Sequence, residues 1–444
     1  MADQPRLAAF DLLRAVSTQG AYANLTLPGL LGARKLSGRD AGLATELGYG
    51  TLRASGPLDA VLARCIDRPL AKVDSPVLDL LRLGAYQALR TRIPAHAAVA
   101  STVELARATG NARSAGFVNA VLRRVVAKDW AGWMAELSAG APPLAAIALN
   151  TAHPLWIAEA FAAALDEGQS RDELLAETEA ALLADDERPS THLVAWPGRC
   201  DRDELVAASG GEPGPYSPYA VRLHGGDPAA LPAIRARLAA VQDEGSQLCA
   251  LALTRAPLDG EDRRWLDLCA GPGGKAALLA ALAGPRGAGV HAVELHEHRA
   301  RLVRSATAAW PVEVEVADAR TVTVGGYDRV LLDAPCSGLG ALRRRPEARW
   351  RRGPEDVAEL AELQAQLLAS AIRLTRPGGV IAYVTCSPHR AETVAVVGAA
   401  EGVEVLDARA SFEGVPQLGP GPFVQLWPHR HGTDAMFCAL LRRT

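Results

Sequence analysis

Two short runs in this chain place a cysteine in a polar turn directly after an apolar stretch: Asp333-Ala-Pro-Cys336-Ser-Gly338 and Tyr383-Val-Thr-Cys386-Ser-Pro388. A thiolate can add to an electron-poor carbon and later leave, so such turns suit covalent catalysis. A free thiol ionises near ~8.5 and needs nearby positive charge or a helix N-terminus to do so at neutral pH. One such cysteine is more often packing than chemistry. Two of them, each at the end of a strand-like run, reverse that weighting. A third run, Asp267-Leu-Cys269-Ala270-Gly271-Pro272-Gly273-Gly274-Lys275, leads into an apolar, helix-like stretch at 276–282. Its glycines let the backbone approach a ligand, and the helix start offers free amide donors. A phosphate loop would need Gly where Cys269 stands and Ser or Thr where Ala276 stands, so that motif fails at both ends. A plain strand-to-helix turn is the competing reading. It loses weight because Glu294, Asp318 and Asp333 end three further apolar runs. A carboxylate after the second strand suits the ribose hydroxyls of an adenosine cofactor, and Asp318 after the third suits an adenine amino group. Without a phosphate motif, the set favours S-adenosylmethionine over ATP or NAD.

Elements must hold these residues together. Short apolar runs at 265–269, 289–294, 312–317, 329–333 and 380–385 are separated by helix-length stretches. This pattern predicts a doubly wound α/β sheet buried on both faces, with ligands at the carboxyl ends of its strands. Residues 1–130 differ: apolar positions recur at helical spacing, as in Val77, Leu80, Leu81 and Leu83, with Gly and Pro between the segments. An all-helical domain is expected there. Gly132, Gly140, Pro142 and Pro143 mark 131–150 as a linker leading to a helix near 155–165. From 151 to 250 the chain is acidic and mixes short helices with weak strands at 192–196 and 220–223; the acidic run at 166–187 reads as a solvated helix face.

With 444 residues, 49% hydrophobic and 22% charged, the chain suits two or three globular domains and excludes disordered or collagen-like classes. The net charge of −3 hides a polarity: residues 1–130 carry +7, 131–260 carry −11 and 261–444 carry +1. Seven scattered cysteines without a CxxC pair argue against a disulfide scaffold or a zinc module, so no metal is expected. The N-terminus lacks a signal-peptide pattern, and the one long uncharged stretch, 137–158, is broken by prolines, so no membrane association is expected and a reducing cytoplasm is. Only four of the 47 basic residues are lysines, and Lys275 sits in the glycine loop. Directly after the Cys336 turn come Arg343, Arg344, Arg345, Arg349, Trp350, Arg351 and Arg352. Arginines contact phosphates and stack on bases, and tryptophan stacks likewise, so this run reads as an RNA path, a solvated face being the alternative.

Together these motifs resemble the RsmB (Sun/Fmu) family of ribosomal RNA cytosine-C5 methyltransferases. Asp267 to Lys275 resembles the family's cofactor loop, Asp333 to Gly338 its motif four, and Thr385-Cys386-Ser387 its motif six. Glu46-Leu-Gly-Tyr-Gly50, Leu81-Arg-Leu-Gly-Ala-Tyr-Gln87 and Gly116-Phe-Val-Asn-Ala-Val-Leu-Arg123 resemble a NusB-like helical domain, and His431-Gly-Thr-Asp434 the closing hairpin. Gly271 stands where alanine is usual and Ala276 where threonine is usual. The resemblance implies a multidomain protein: an all-α NusB-like RNA-binding domain at 1–135, a small α+β segment at 145–240 that positions RNA, and a Rossmann-like methyltransferase domain at 241–444. It implies S-adenosylmethionine held by Cys269 to Lys275, Glu294, Asp318 and Asp333, a nucleophilic Cys386, a Cys336 that assists product release, and an Asp333 that hydrogen-bonds the cytosine ring. Spacing alone leaves Cys336 open as the nucleophile. Small-subunit ribosomal RNA is the implied partner of a monomeric enzyme. Transfer RNA as substrate, or a non-catalytic RNA-binding assembly factor, are the alternatives.

Overall fold

A computed structural model of the chain describes residues 3–444. They form two compact units. The first comprises the chain up to Ala162 together with Ser170–Asp186 and Leu342–Arg352. It is helical, as the spacing of its apolar residues requires. Gln4–Gln19, Gly38–Arg53, Ser55–Cys65, Ser75–Arg90, Ala95–Ala108 and Ala115–Val125 surround a core in which Leu12, Leu47, Leu58, Leu62, Leu80 and Leu81 are fully buried. Local chemistry sets the ends: Asp3 caps the first helix by accepting from the Arg6 amide, and Gly20 closes it in the left-handed region at φ 64°. The expected linker is instead helical, with Trp130–Leu137 and Pro143–Asn150. Asp129 accepts from the Gly132 amide to start the former, and buried Trp133 and Met134 anchor it, while Pro143 occupies a first-turn position where a missing amide costs nothing.

The second unit holds 163–169, 187–341 and 353–444. The middle segment expected at 145–240 is thus divided: the helix Arg171–Asp186 falls in the first unit, and its strands, with the helix Arg202–Ser209, in the second. Those strands, β1 (Thr191–Ala195), β2 (Glu212–Pro213), β3 (Ala220–Leu223) and β4 (Ala239–Val241), form an antiparallel sheet in the order β2-β3-β1-β4.

The larger sheet contains β5 (Arg264–Asp267), β6 (Gly289–Glu294), β7 (Val312–Val316), β8 (Tyr327–Asp333), β9 (Thr375–Thr385), β10 (Val403–Leu406), β11 (Val424–Gln425) and β12 (Phe437–Arg443). Its order is β10-β12-β9-β8-β5-β6-β7, with β11 paired to β12. Strands β5 to β9 pair with one another in parallel, and β12 is antiparallel to β9 and β10. Val330, Leu331 and Leu332 of β8 and Ile381 to Val384 of β9 are fully buried, as continuous apolar runs in a two-sided sheet must be. The chain builds outward from β5 through β6 to β7, then returns to the other side of β5 with β8. That reversal opens a crevice at the carboxyl ends of β5 and β8, where ligands bind in sheets of this kind. Among the described residues no helix is long and apolar enough to cross a membrane.

Candidate active site

Strands β8 and β9 run side by side with Asp333 opposite Val384, so the turns that follow them meet. The Ala334 amide donates to the Val384 carbonyl at 2.9 Å, and the Gly340 amide donates to the Cys386 carbonyl at 2.9 Å. A side chain at Gly340 would strike the Ala435 carbonyl, which explains the glycine there. Cys336 Sγ and Cys386 Sγ lie 3.4 Å apart. The hydrogen bond to Cys386 and burial together hold the Cys336 thiol well above its ordinary value. Cys336 is therefore a thiol rather than a thiolate at neutral pH.

Lys275, at the start of the helix Gly274–Ala283, donates from Nζ to Asp333 Oδ2 at 2.8 Å. Burial works against its charge, but Asp333 first, and then Cys249 and Cys386, pull its value above that of an ordinary lysine. It is a fixed positive charge beside both Asp333 and the Cys386 sulfur, the condition under which a thiol ionises at neutral pH. Asp267, at the end of β5, is fully buried, and neither of its carboxylate oxygens has a well-formed hydrogen bond. Burial first and the Asp333 charge second push its value up to about 8.

The glycine loop between Asp267 and Lys275 is closely fitted. The Gly271 amide donates to Glu294 Oε2 at 3.0 Å, and a Cβ at Gly271 would stand 2.2 Å from that oxygen. Gly273 has φ 112° and faces the Val303 backbone, so no side chain fits there either. Arg299 reaches the other side of the loop, donating to the Gly271 carbonyl at 2.7 Å. Glu294 is 4% exposed at the end of β6, while Asp318 beyond β7 is ion-paired with Arg320, whose hydrogen bonds hold its carboxyl below the usual range. Cys269 is part of the loop wall, and burial raises its thiol above the reactive range. An orphaned buried carboxyl, a backbone cradle closed to side chains and a carboxylate on the neighbouring strand fit an adenosine-containing cofactor. Among the described residues no cluster of His, Cys, Asp and Glu suits a metal ion.

Comparison with known proteins agrees with this geometry. Residues 252–442 match the family described as 16S rRNA methyltransferase RsmB/F, and residues 3–127 match the NusB family. A Mycobacterium tuberculosis protein named putative methyltransferase Rv1407 is 56% identical over 99% of this chain and 97% of its own length. The Bacillus subtilis protein named probable ribosomal RNA small subunit methyltransferase B is 33% identical over 98% of each chain. The chain belongs to the RsmB/F methyltransferase family. A solved structure, that of PH0851, shares the fold with a TM-score of 0.79 at 20% identity, covering 99% of this chain and 98% of its own. This RsmB-family protein is an S-adenosylmethionine-dependent RNA methyltransferase.

The arginine run after motif four, expected to follow bound RNA, is largely packed within the helical unit. Arg349 is fully buried and donates to Asp186 Oδ1 at 3.1 Å and to the carbonyls of Ala152 and Asp185. Arg343 is buried, its backbone amide bonded to Asp185 Oδ1. Trp350 packs against Gly56 and donates from Nε1 to the Arg53 carbonyl. Arg351 donates to the carbonyls of Val16, Gly20 and Ala21, closing the end of the first helix. Arg344 and Arg352 are half-buried, while Arg345 is exposed, as is Arg351, both with their guanidinium groups over the Tyr22 ring. The acidic run at 166–187 supplies Asp185 and Asp186, so part of it is a buried partner surface rather than a solvated face.

Sequence reasoning also passed over Glu392, Ser337, Ser387 and Gln364, which form a buried polar network directly behind the two cysteines. The one available signal was the serine that follows each cysteine.

Proposed function

We propose that this enzyme methylates carbon five of a cytosine in small-subunit ribosomal RNA through a transient bond between Cys386 and carbon six. The observation that carries the reading is the pair of thiols 3.4 Å apart at the ends of adjacent parallel strands, next to the Lys275–Asp333 ion pair. Carbon five of cytosine is a poor nucleophile, and adding a thiolate at carbon six makes it an enamine carbon. Lys275 supports ionisation of Cys386, whose sulfur forms the S–C bond while the ring's electron pair moves to carbon five. Asp333, held by Lys275, hydrogen-bonds the ring and stabilises its protonated form. S-adenosylmethionine, when bound, supplies an electrophilic methyl group; Glu294 and Asp318 would hold its ribose and adenine, and residues 269–275 its remaining backbone contacts. Afterwards the carbon-five proton is lost to a base, the electron pair restores the ring, and the Cys386 sulfur leaves. In this reading Cys336 assists the release.

The target base must leave its stack to reach Cys386, so an unpaired or splayed nucleotide is the substrate form. Of the arginine run, Arg345 is carried into this reading as a phosphate contact, and the small sheet β1 to β4 as the RNA-positioning surface. The same reading carries a cytoplasmic, monomeric enzyme. Bisulfite sequencing of ribosomal RNA from cells lacking the protein tests the proposal: loss of one 5-methylcytosine from small-subunit RNA is expected. An unchanged ribosomal pattern with a cytosine lost from transfer RNA would move the same chemistry to that substrate, and methyl transfer to no RNA would sink it.

A further inference from the structure

Each catalytic-turn cysteine is followed by a serine, and the structure brings these serines together as well. Ser337 and Ser387 are buried, with their Oγ atoms 3.2 Å apart. Between them lies Glu392, 0% exposed, at the end of the short turn Arg390–Glu392. Its Oε1 accepts from the Ser337 backbone amide at 2.7 Å and from Gln364 Nε2 at 3.1 Å. Its Oε2 accepts from Ser337 Oγ at 2.5 Å and from Ser387 Oγ at 2.6 Å. A hydroxyl has one proton to donate, so both serines spend theirs on the carboxylate and are joined through it. Gln364 Nε2 also donates to the carbonyl of Pro335, the residue before Cys336, at 2.8 Å. Tyr383 Oη donates to the Glu392 carbonyl at 2.8 Å, tying the backbone of the turn to β9.

A buried carboxylate is strongly unfavourable unless hydrogen bonds replace its water, and here four donors do so. Every one of them comes from, or is tied to, the turns that carry the thiols. We propose that Glu392 is a positioning residue of the methyl-transfer site: it clasps the serines after Cys336 and Cys386 and so fixes the two sulfurs at their 3.4 Å separation. The claim rests on the reading of the two cysteines given above. The charge of Glu392 acts in the same direction as the clasp, adding to the hydrogen bond and burial that keep Cys336 a thiol.

The clasp can be tested without RNA. Diamide takes one hydrogen from each of two adjacent thiols and leaves a disulfide, read as a cross-linked Cys336–Cys386 peptide two mass units lighter. Loss of the clasp in Glu392→Ala should slow that cross-link roughly tenfold or more, and in turnover should lower kcat by about 100-fold, as expected for a small misplacement of reacting groups. KM for RNA and the Kd for S-adenosylmethionine should stay within about threefold, because the glycine loop is held by other residues. Glu392→Gln keeps the shape and one acceptor oxygen and should recover most of the cross-linking rate. If Glu392→Ala does not fold, the Ser337→Ala/Ser387→Ala double variant carries the same expectation. A Glu392→Ala protein that cross-links as fast as the parent, or whose kcat and cofactor affinity fall in step, overturns the proposal. A parent protein whose cross-link depends on Glu392 but which methylates no RNA supports the clasp and removes the reaction reading, so the two failures are separable.

Discussion

The turn at 333–341 ends a strand buried on both faces and delivers Cys336 to within 3.4 Å of Cys386. The segment that follows, Leu342–Arg352, is packed with the helical unit and spends its charged groups on helix carbonyls and on Asp186. Both stretches are dense in residue types that do chemistry. What separates them is whether those groups are left open to a ligand or are already consumed by the protein's own backbone and side chains. The first stretch keeps a thiol pair and an ion pair facing a strand-end crevice; in the second, Arg349 has no exposed surface to offer. Substitutions should therefore dissociate: changes in the first should remove activity without stability, and changes in the second should remove stability without activity per folded molecule.

The largest effect is expected at the thiols. Cys386→Ala should lower methyl transfer by about 10⁴-fold or more, since no other group replaces the covalent step. Its Tm should stay within ~2 °C of the parent, because one small side chain at a half-open site is removed. Cys336→Ala should permit attack and then stall, giving an RNA adduct that survives a denaturing gel. An adduct found with the Cys386 variant instead would exchange the two roles. Lys275→Met comes next: removing the charge that supports ionisation should cost about 10²-fold in kcat, and shift the rising limb of the pH–rate profile to higher pH. A profile that does not move would detach Lys275 from the thiols.

In the second stretch the expected change is thermodynamic. Arg349→Met removes one of the arginines around Asp186, which keeps Arg53 and Arg90, and leaves two buried carbonyls without that donor, a loss of about 2–4 kcal/mol. Thermal unfolding followed by far-ultraviolet circular dichroism should show the loss, while kcat of the protein that remains folded should stay within about twofold. A variant as stable as the parent but with weakened RNA binding would restore the RNA path that the run of arginines suggested.

The same contrast explains what could be read from the amino-acid order. The runs at 289–294 and 220–223 fall on β6 and β3 because alternation of β-branched and apolar residues is a local property, bounded by local turns. The glycine loop and both cysteine turns were legible for the same reason: each ends such a run. The fate of Arg349 was not, because its partners Asp185 and Asp186 lie more than 160 residues earlier, and a run of like charge looks the same whether solvated or enclosed. Glu392 was equally invisible. A single carboxylate after Pro388-His-Arg-Ala carries no periodic or spacing signal, and its role exists only once Ser337 and Ser387 face each other. The helices at 130–150 were hidden by prolines and glycines that serve as helix starts and stops rather than as a linker.

A smaller effect separates the two stretches by pH. Arg349 is buried with an ionic partner, whereas Asp267 is buried with both oxygens lacking a well-formed bond, and its value is pushed up to about 8 by burial and then by Asp333. In the unfolded chain an aspartate titrates near ~3.9. Between these values the folded protein binds a proton at Asp267 that the unfolded chain does not. The contribution is therefore fully present below about pH 4 and is lost as the pH rises towards about 8, with a slope of at most about 1.4 kcal/mol per pH unit. Asp267→Asn carries no titratable proton and should flatten this slope across pH 5 to 8 in denaturant titrations, while Arg349→Met should lower stability by the same amount at every pH in that window. A slope unchanged in Asp267→Asn would show that the carboxyl is ionised and solvated in the folded protein. The crevice at the end of β5 would then hold water where the geometry places an orphaned buried acid, and the contrast between an open site and a consumed one would lose its sharpest member.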